Sequence, residues 1–308
     1  MVGRVVQSAE FVTDVVMPVM PTIARTAAPR LADLAVASLV DEARLTPKPA
    51  LVDLRGSGAH ADLDLAIVIR SANALRASFA AMAAIADLRL PTQTLREDLA
   101  AIGRAGERAM MRTTGGSNAH RGAIWVLGLL VAGTMMAGND RCARAIAGRA
   151  ATVARHADRF APPASSNGSR VRGRFGVNGA LGEAVAGFPH VIEIGLPSLT
   201  ASRLRGCAEE DARLDALMAI MSSLDDTCLL HRGGRAALHS AKAGAHAVLA
   251  RGGAATSAGR RALLDLDADL LSRNASPGGS ADLLSAVLLL DRVAHPQSRN
   301  ARRSSSRS

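Results

Sequence analysis

Residues 123–137 read AIWVLGLLVAGTMMA, with no charge among them. A run of about 15 apolar residues is shorter than the roughly 20 that cross a bilayer, and charged residues follow it. It predicts a buried core helix. Around it, apolar residues recur with a helical period. Leu31, Leu34, Ala35 and Leu39 keep it, as do Leu75, Phe79, Met82, Ala83 and Ala86. So do Leu95, Leu99, Ile102 and Ala109, and later Leu214, Leu217, Met218 and Met221. Such spacing puts one apolar stripe on each helix, and the abundant Ala and Leu are strong helix formers. Residues 191–194 (VIEI) are the one stretch resembling a strand, too short to seed a sheet. The expected fold is all-α, a single multi-helix domain over residues 31–295. Its helices fall near 31–45, 62–88, 94–112, 120–138, 140–157, 211–230, 235–251, 258–273 and 280–294. Residues 1–30 form an N-terminal extension, and 296–308 a disordered Arg/Ser tail.

The chain has 308 residues, enough to bury a sizeable core. Hydrophobic residues make up 48% and charged residues 21%, which excludes a disordered chain. The formal net charge is +10, and every basic residue except Lys48 and Lys242 is arginine. Aromatics are 2%, without a single Tyr. That removes base-stacking platforms for single-stranded nucleic acid. Arginines spread along the chain, without a helix-turn-helix or RNA motif, argue against a nucleic-acid partner. Cys142, Cys207 and Cys228 are far apart, which fits free thiols in a reducing, cytoplasmic setting. Residues 11–20 are apolar but broken by Asp14 and Pro18, so they do not read as an export signal. No membrane partner is expected. Neither CxxC nor HExxH occurs, so a zinc site has little support. The Asn167 and Asn274 sequons carry no weight without export.

The unusual polar residues gather in five Gly-, Ser-, Asn- and Pro-rich segments between the expected helices. Residues 46–65 read TPKPALVDLRGSGAHADLDL. Lys48 lies extended between two prolines and offers an ammonium to a phosphate. His60 and Asp64 share one face if that stretch is helical. Asp62 falls in the first turn, where its default role is capping the helix dipole, a role that Asp64 fits less well. Residues 113–125 read TTGGSNAHRGAIW. Gly115 and Gly116 break a helix, and Asn118 can cap the next one. The same start can present N–H groups, with His120 and Arg121, to a phosphate.

Residues 170–190 read RVRGRFGVNGALGEAVAGFPH. Arg170, Arg172 and Arg174 precede a glycine-rich turn that matches neither a dinucleotide-binding fingerprint nor a P-loop. Glu183 either caps the helix it opens or takes part in chemistry. Residues 224–234 read LDDTCLLHRGG. Asp225 and Asp226, with His231 and Arg232 nearby, either share a hard cation such as Mg²⁺ or form a solvated pair. Residues 273–284 read RNASPGGSADLL, where Ser280 or Asp282 can cap the last helix. Together these segments point to a phosphate-rich small molecule bound with Mg²⁺.

In this order the five motifs resemble the triphosphoribosyl-dephospho-coenzyme A synthase family over residues 31–295. The forms at 47–65 and 225–234 are similar to the branch serving malonate decarboxylase, with the citrate lyase branch as the alternative. The resemblance implies an all-α enzyme, a pentosyltransferase, whose substrates are ATP and 3′-dephospho-coenzyme A. The 5-triphosphoribosyl group moves to the 2′-hydroxyl and adenine leaves. The product is the prosthetic-group precursor of the malonate decarboxylase acyl carrier protein. On that footing Glu183 is the expected base and Asp64 its alternative, because cleaving a glycosidic bond builds positive charge on the ribose. Asp225 and Asp226 would hold Mg²⁺. Lys48, His60, Gly115, Gly116, His120, Arg121, Arg174 and Arg232 would surround the phosphates. The sequence departs from the family pattern at Leu181, where arginine is usual, and at Ala50, Ser117 and Ala119, where glycine, valine and threonine are. Arg174 is the expected substitute for the missing arginine. A catalytically weak nucleotide-binding paralogue is the other reading of Leu181.

Overall fold

The apolar run that suggests a core helix becomes α5 (Arg121–Ala137), with Leu127, Leu130, Val131 and Ala132 fully buried. Each large apolar side chain buried there contributes about 1.5–3 kcal/mol. This computed structural model describes residues 22–162 and 167–295, and no strand occurs among them. Helices α1 (Thr22–Arg44), α3 (Arg76–Ala86), α4 (Gln93–Thr113), α6 (Ala143–Ala154) and α13 (Gly278–Ala294) pack around α5. Gly133 lets α6 approach closely, because a Cβ there would meet the Ile146 carbonyl oxygen at 2.5 Å. On the far side of α13 lie α10 (Glu209–Ser223) and α11 (Thr227–Ala250), with α12 (Ser257–Ser272) against α11. The all-α expectation agrees with this architecture.

Several boundaries differ. Helix α1 starts at Thr22 and places Ala28 and Leu31 in the core, so it crosses the expected boundary at residue 30. Residues 1–21 and the tail 296–308 lie outside the described residues. The single helix expected over 62–88 is two, α2 (Leu65–Ala74) and α3, divided at Leu75. There the Leu75 N–H reaches back to Ala72 in a tightened turn and the side chain is fully buried. Taken together, Leu65–Ala86 is long and apolar enough to cross a membrane by length and composition. Its Phe79, Met82, Ala83 and Ala86 are buried, and α3 packs against α1 and α5.

Helix α10 ends at Ser223, and residues 231–233, expected as loop, are helical within α11. The expected break falls at Gly234, whose non-helical backbone (φ 65°, ψ −161°) divides α11 into two helical segments. The glycine-rich stretch expected as loop holds two short helices, α7 (Asn167–Phe175) and α8 (Gly179–Val185). Polar composition conceals α7, whose one buried residue is Val171, and two glycines within seven residues conceal α8. The VIEI stretch is no strand. His190–Gly195 form one π-helical turn leading into α9 (Leu196–Leu204). A Cβ at Gly195 would lie 2.5 Å from Val287 Cγ2, so a bare glycine lets the turn rest on α13.

Candidate active site

A cavity of about 790 Å³ opens where the end of α1, the 46–63 loop, the α5 N-terminus, α7–α8, the α10–α11 junction and the α13 N-terminus converge. That volume suits a nucleotide-sized ligand.

The 46–63 loop is fixed from below. Asp53 accepts hydrogen bonds from Thr46 Oγ1 (3.1 Å), Lys48 N (2.9 Å) and Arg55 N (2.7 Å). Burial pushes its carboxyl up, but the hydrogen bonds from Arg55 and Lys48 hold it below the usual range. Arg55 Nη1 then ties the loop to Asp267 of α12 at 2.5 Å. The loop turns through Ala50 at φ 51°, in the left-handed region that favours glycine. Lys48 is 1% exposed and donates to Glu42 Oε1 (2.5 Å) and the Glu42 carbonyl (2.7 Å).

Two histidines line the cavity as neutral rings. Burial, then the nearby Lys48 charge, lowers His120 to about 4. Its Nδ1 lies 2.8 Å from Ser71 Oγ. Burial and then Arg232 lower His60 to about 4, against the opposing Asp62. Arg232 donates to His60 Nδ1 at 3.0 Å, so Nε2 carries the proton and faces Ser276 Oγ at 3.0 Å. His120 can therefore offer a phosphate a hydrogen bond and no charge, whereas both ring nitrogens of His60 are already engaged by Arg232 and Ser276.

The adjacent aspartates diverge. Asp225 is exposed and pairs with Lys242 at 2.6 Å. Asp226 is 1% exposed and caps α11. Its Oδ1 accepts from Cys228 N (2.8 Å) and Gly279 N (3.3 Å). Its Oδ2 accepts from Ser280 N (2.8 Å) and Ser280 Oγ (2.9 Å). Burial raises its carboxyl against the pull of these donors. A carboxylate has about four lone-pair sites, and here all are used. Asp282 also lines the cavity. Burial, then the negative Glu42 and Asp226, raise its carboxyl well above the usual range, and the Ala123 N–H opposes them. A Cβ at Gly122 would stand 2.1 Å from Asp282 Oδ2, so this glycine makes room for the carboxylate. Burial, then Asp226 and Asp282, raise the Cys228 thiol well above its usual value, so it stays protonated and is no nucleophile. Among the described residues no three His, Cys, Asp or Glu side chains form a ready metal cluster.

Glu183 lies on the cavity wall, 6% exposed. Its Oε1 accepts from His190 N (2.9 Å) and its Oε2 faces His190 Nδ1 (2.7 Å). It thus steadies the turn that follows its helix and does not cap its own. Leu181 is on the same wall, 40% exposed.

Of the residues singled out in the sequence, Lys48, His60, His120, Arg121, Glu183, Asp225, Asp226 and Arg232 share the cavity wall. Arg121 forms an ion pair with Glu107, and Asn118 Oδ1 accepts from Arg121 N at 3.0 Å. Asp64, Gly115, Gly116 and Arg174 are not on that wall. Asp64 is the N-cap of α2 and accepts from Ile67 N at 2.7 Å. Gly115 (φ 66°) and Gly116 (φ 100°) end α4, where Gly116 N reaches back to Met111 at 2.8 Å. Arg174 lies over the Phe175 ring. The wall also holds Glu42, Arg96 and Trp125, which the motifs did not single out, Asp282, which they named only as a cap of the last helix, and Arg172, which they named only as part of an arginine cluster. The one available signal was Gly122 beside a capping position, where a bare glycine permits close approach.

Residues 28–301 match the CitG family, ATP:dephospho-CoA triphosphoribosyl transferase. A Stutzerimonas stutzeri protein named a probable 2-(5″-triphosphoribosyl)-3′-dephosphocoenzyme-A synthase is 56% identical, over 88% of this chain and 93% of its own. A Pseudomonas fluorescens protein of that name is 55% identical, over 86% and 92%. A Klebsiella pneumoniae 2-(5″-triphosphoribosyl)-3′-dephosphocoenzyme-A synthase is 54% identical, over 86% and 94%. No solved structure matches the chain. With a family match across the described helices and relatives above half identity, the chain belongs to the ATP:dephospho-CoA triphosphoribosyl transferase family, a family of pentosyltransferases.

Proposed function

We propose that the cavity transfers the 5-triphosphoribosyl group of ATP to the 2′-hydroxyl of 3′-dephospho-coenzyme A, with loss of adenine. The observation that carries this is one cavity wall holding both buried carboxylates and several cations. Glycosidic cleavage needs negative charge near the ribose and positive charge along a triphosphate.

Glu183 takes the proton of the attacking hydroxyl. Both hydrogen bonds from His190 fit its carboxylate form, and the second keeps its rotamer fixed. Lys48 and Arg232 supply charge to phosphate oxygens, His120 supplies a neutral hydrogen bond, and His60 positions Arg232. Buried carboxylates nearby favour the positive charge that develops at the ribose carbon.

Asp225 would hold Mg²⁺, since Lys242 occupies one of its oxygens and the other retains its lone pairs. Asp282, whose carboxyl is raised well above the usual range, favours the protonated form and is the poorer ligand. Asp226 retains none. The ion would neutralise triphosphate charge, its usual part beside one or two carboxylates.

The malonate decarboxylase branch is favoured by the forms PKPALVDLRGSGAHADLDL and DDTCLLHRGG, and the free cysteines suit a cytoplasmic setting. Mass spectrometry of the ATP and dephospho-coenzyme A reaction should find the triphosphoribosyl adduct. That adduct should load a malonate decarboxylase acyl carrier protein in preference to a citrate lyase one. Leu181 on the wall favours a second reading, a weak paralogue that binds ATP without turnover. ATP binding without adduct would select it.

A further inference from the structure

Arg96 of α4 is 8% exposed and lines the cavity, with its Nε buried and unpartnered. Its guanidinium lies 4.6 Å from the centroid of the Trp125 ring. The nearby carboxylates are already committed. Glu97 pairs with Arg159 at 2.5 Å, and Asp158 with Arg104 at 2.6 Å. Burial pushes the Arg96 guanidinium down, yet arginine stays charged in proteins. A buried charge without a hydrogen-bonded partner is costly unless something neutralises it.

The surroundings are built to hold it there. Trp125 Nε1 donates to the Ala180 carbonyl at 3.1 Å, which fixes the ring between α5 and α8. Arg172 of α7 also lines the cavity, its Cδ 3.4 Å from where a Cβ on Gly179 would stand. No hydrogen bond or ion pair to Arg172 occurs among the described residues. Arg121 completes the group. Its Nε is likewise buried without a partner, although its tip pairs with Glu107.

We propose that Arg96, Arg121 and Arg172 form a phosphate subsite, distinct from the Lys48, His120 and Arg232 contacts, with Trp125 holding Arg96 in position. Three guanidiniums against one carboxylate leave an excess of positive charge. Forked donors match phosphoryl oxygens. The ligand is a polyphosphate segment of a nucleotide, and for the identity of that nucleotide the inference rests on the reaction proposed above. Two segments share this chemistry, the triphosphate of ATP and the diphosphate of dephospho-coenzyme A.

Calorimetric titration of the full chain with tripolyphosphate and with pyrophosphate tests the subsite. Arg96→Met should weaken binding of the preferred anion by about tenfold or more, while the anion-free Tm stays equal or rises because an uncompensated charge has gone. Arg172→Ala, at a half-buried position, should weaken the same anion and covers the case of an unstable Arg96 variant. Steady-state kinetics then separate the sources. A raised KM for ATP alone assigns the triphosphate, and a raised KM for dephospho-coenzyme A alone assigns the diphosphate. Unchanged titrations in both variants would overturn the subsite. A wild type that binds tripolyphosphate but releases no adenine would count against the reaction and leave the subsite standing.

Discussion

Asp226 and Arg96 are both buried charges on one cavity wall, and their surroundings are opposite. Asp226 has four donors from α11 and α13 and nothing left to offer. Arg96 has an aromatic face and an orphaned Nε. A buried charge satisfied within the protein holds helices together; one left unsatisfied is available to a ligand. The two regions should therefore respond differently to mutation, one in stability and the other in binding.

The largest expected effect is on the satisfied side. Asp226→Ala strands three backbone N–H groups and a hydroxyl, and should cost about 4 kcal/mol by chemical denaturation. A loss below about 1 kcal/mol would mean that the α11–α13 junction does not depend on this carboxylate and would erase the contrast with Arg96.

Acid should act through the two neutral histidines. Each has a folded pKa near 4 against an ordinary 6.5. The unfolded chain therefore takes up these protons first. Their contribution is fully present above about pH 6.5 and is lost as pH falls toward 4, at about 3 kcal/mol each. His120→Gln should remove roughly half of that slope. An unchanged slope would place the His120 charge elsewhere.

Turnover should depend on Glu183. Glu183→Gln is expected to lower kcat by at least about 100-fold while ATP affinity stays within a few-fold. A purely structural Glu183 predicts near-normal adenine release with a stability loss of about 1.5–3 kcal/mol, from weakening its buried hydrogen bonds to His190.

The smallest effect concerns the loop that carries Lys48. Ala50 adopts φ 51°, so Ala50→Gly should stabilise the protein by about 1 kcal/mol, seen as a rise in Tm. A fall would mean that the Ala50 methyl packing outweighs its backbone strain.

The helices were legible where the chain is apolar throughout, as in α5, or apolar at a helical period, as in α10. They were hidden where the chain is polar, as in α7, which buries only Val171. Gly234 reads as a break and does interrupt the helix with non-helical backbone, but residues 231–233, expected as loop, stay helical because Asp226 starts α11 upstream of them. Motif reading reached the cavity through Lys48, His120 and Glu183. It grouped Asp225 with Asp226 because they are adjacent, whereas the chain between two helices turns one outward to Lys242 and the other inward. It reached Asp64 and Gly115–Gly116 for their residue type, although these cap α2 and end α4. Arg96 carried no sequence signal, since an arginine on an amphipathic helix normally faces water; only the packing of Trp125 and α8 reveals that it is buried.

The most direct test is adenine release from ATP with Mg²⁺, measured with and without 3′-dephospho-coenzyme A. Transfer predicts adenine only when both substrates are present, in equal amount to the triphosphoribosyl adduct. No adenine, or adenine released at the same rate from ATP alone, would contradict it.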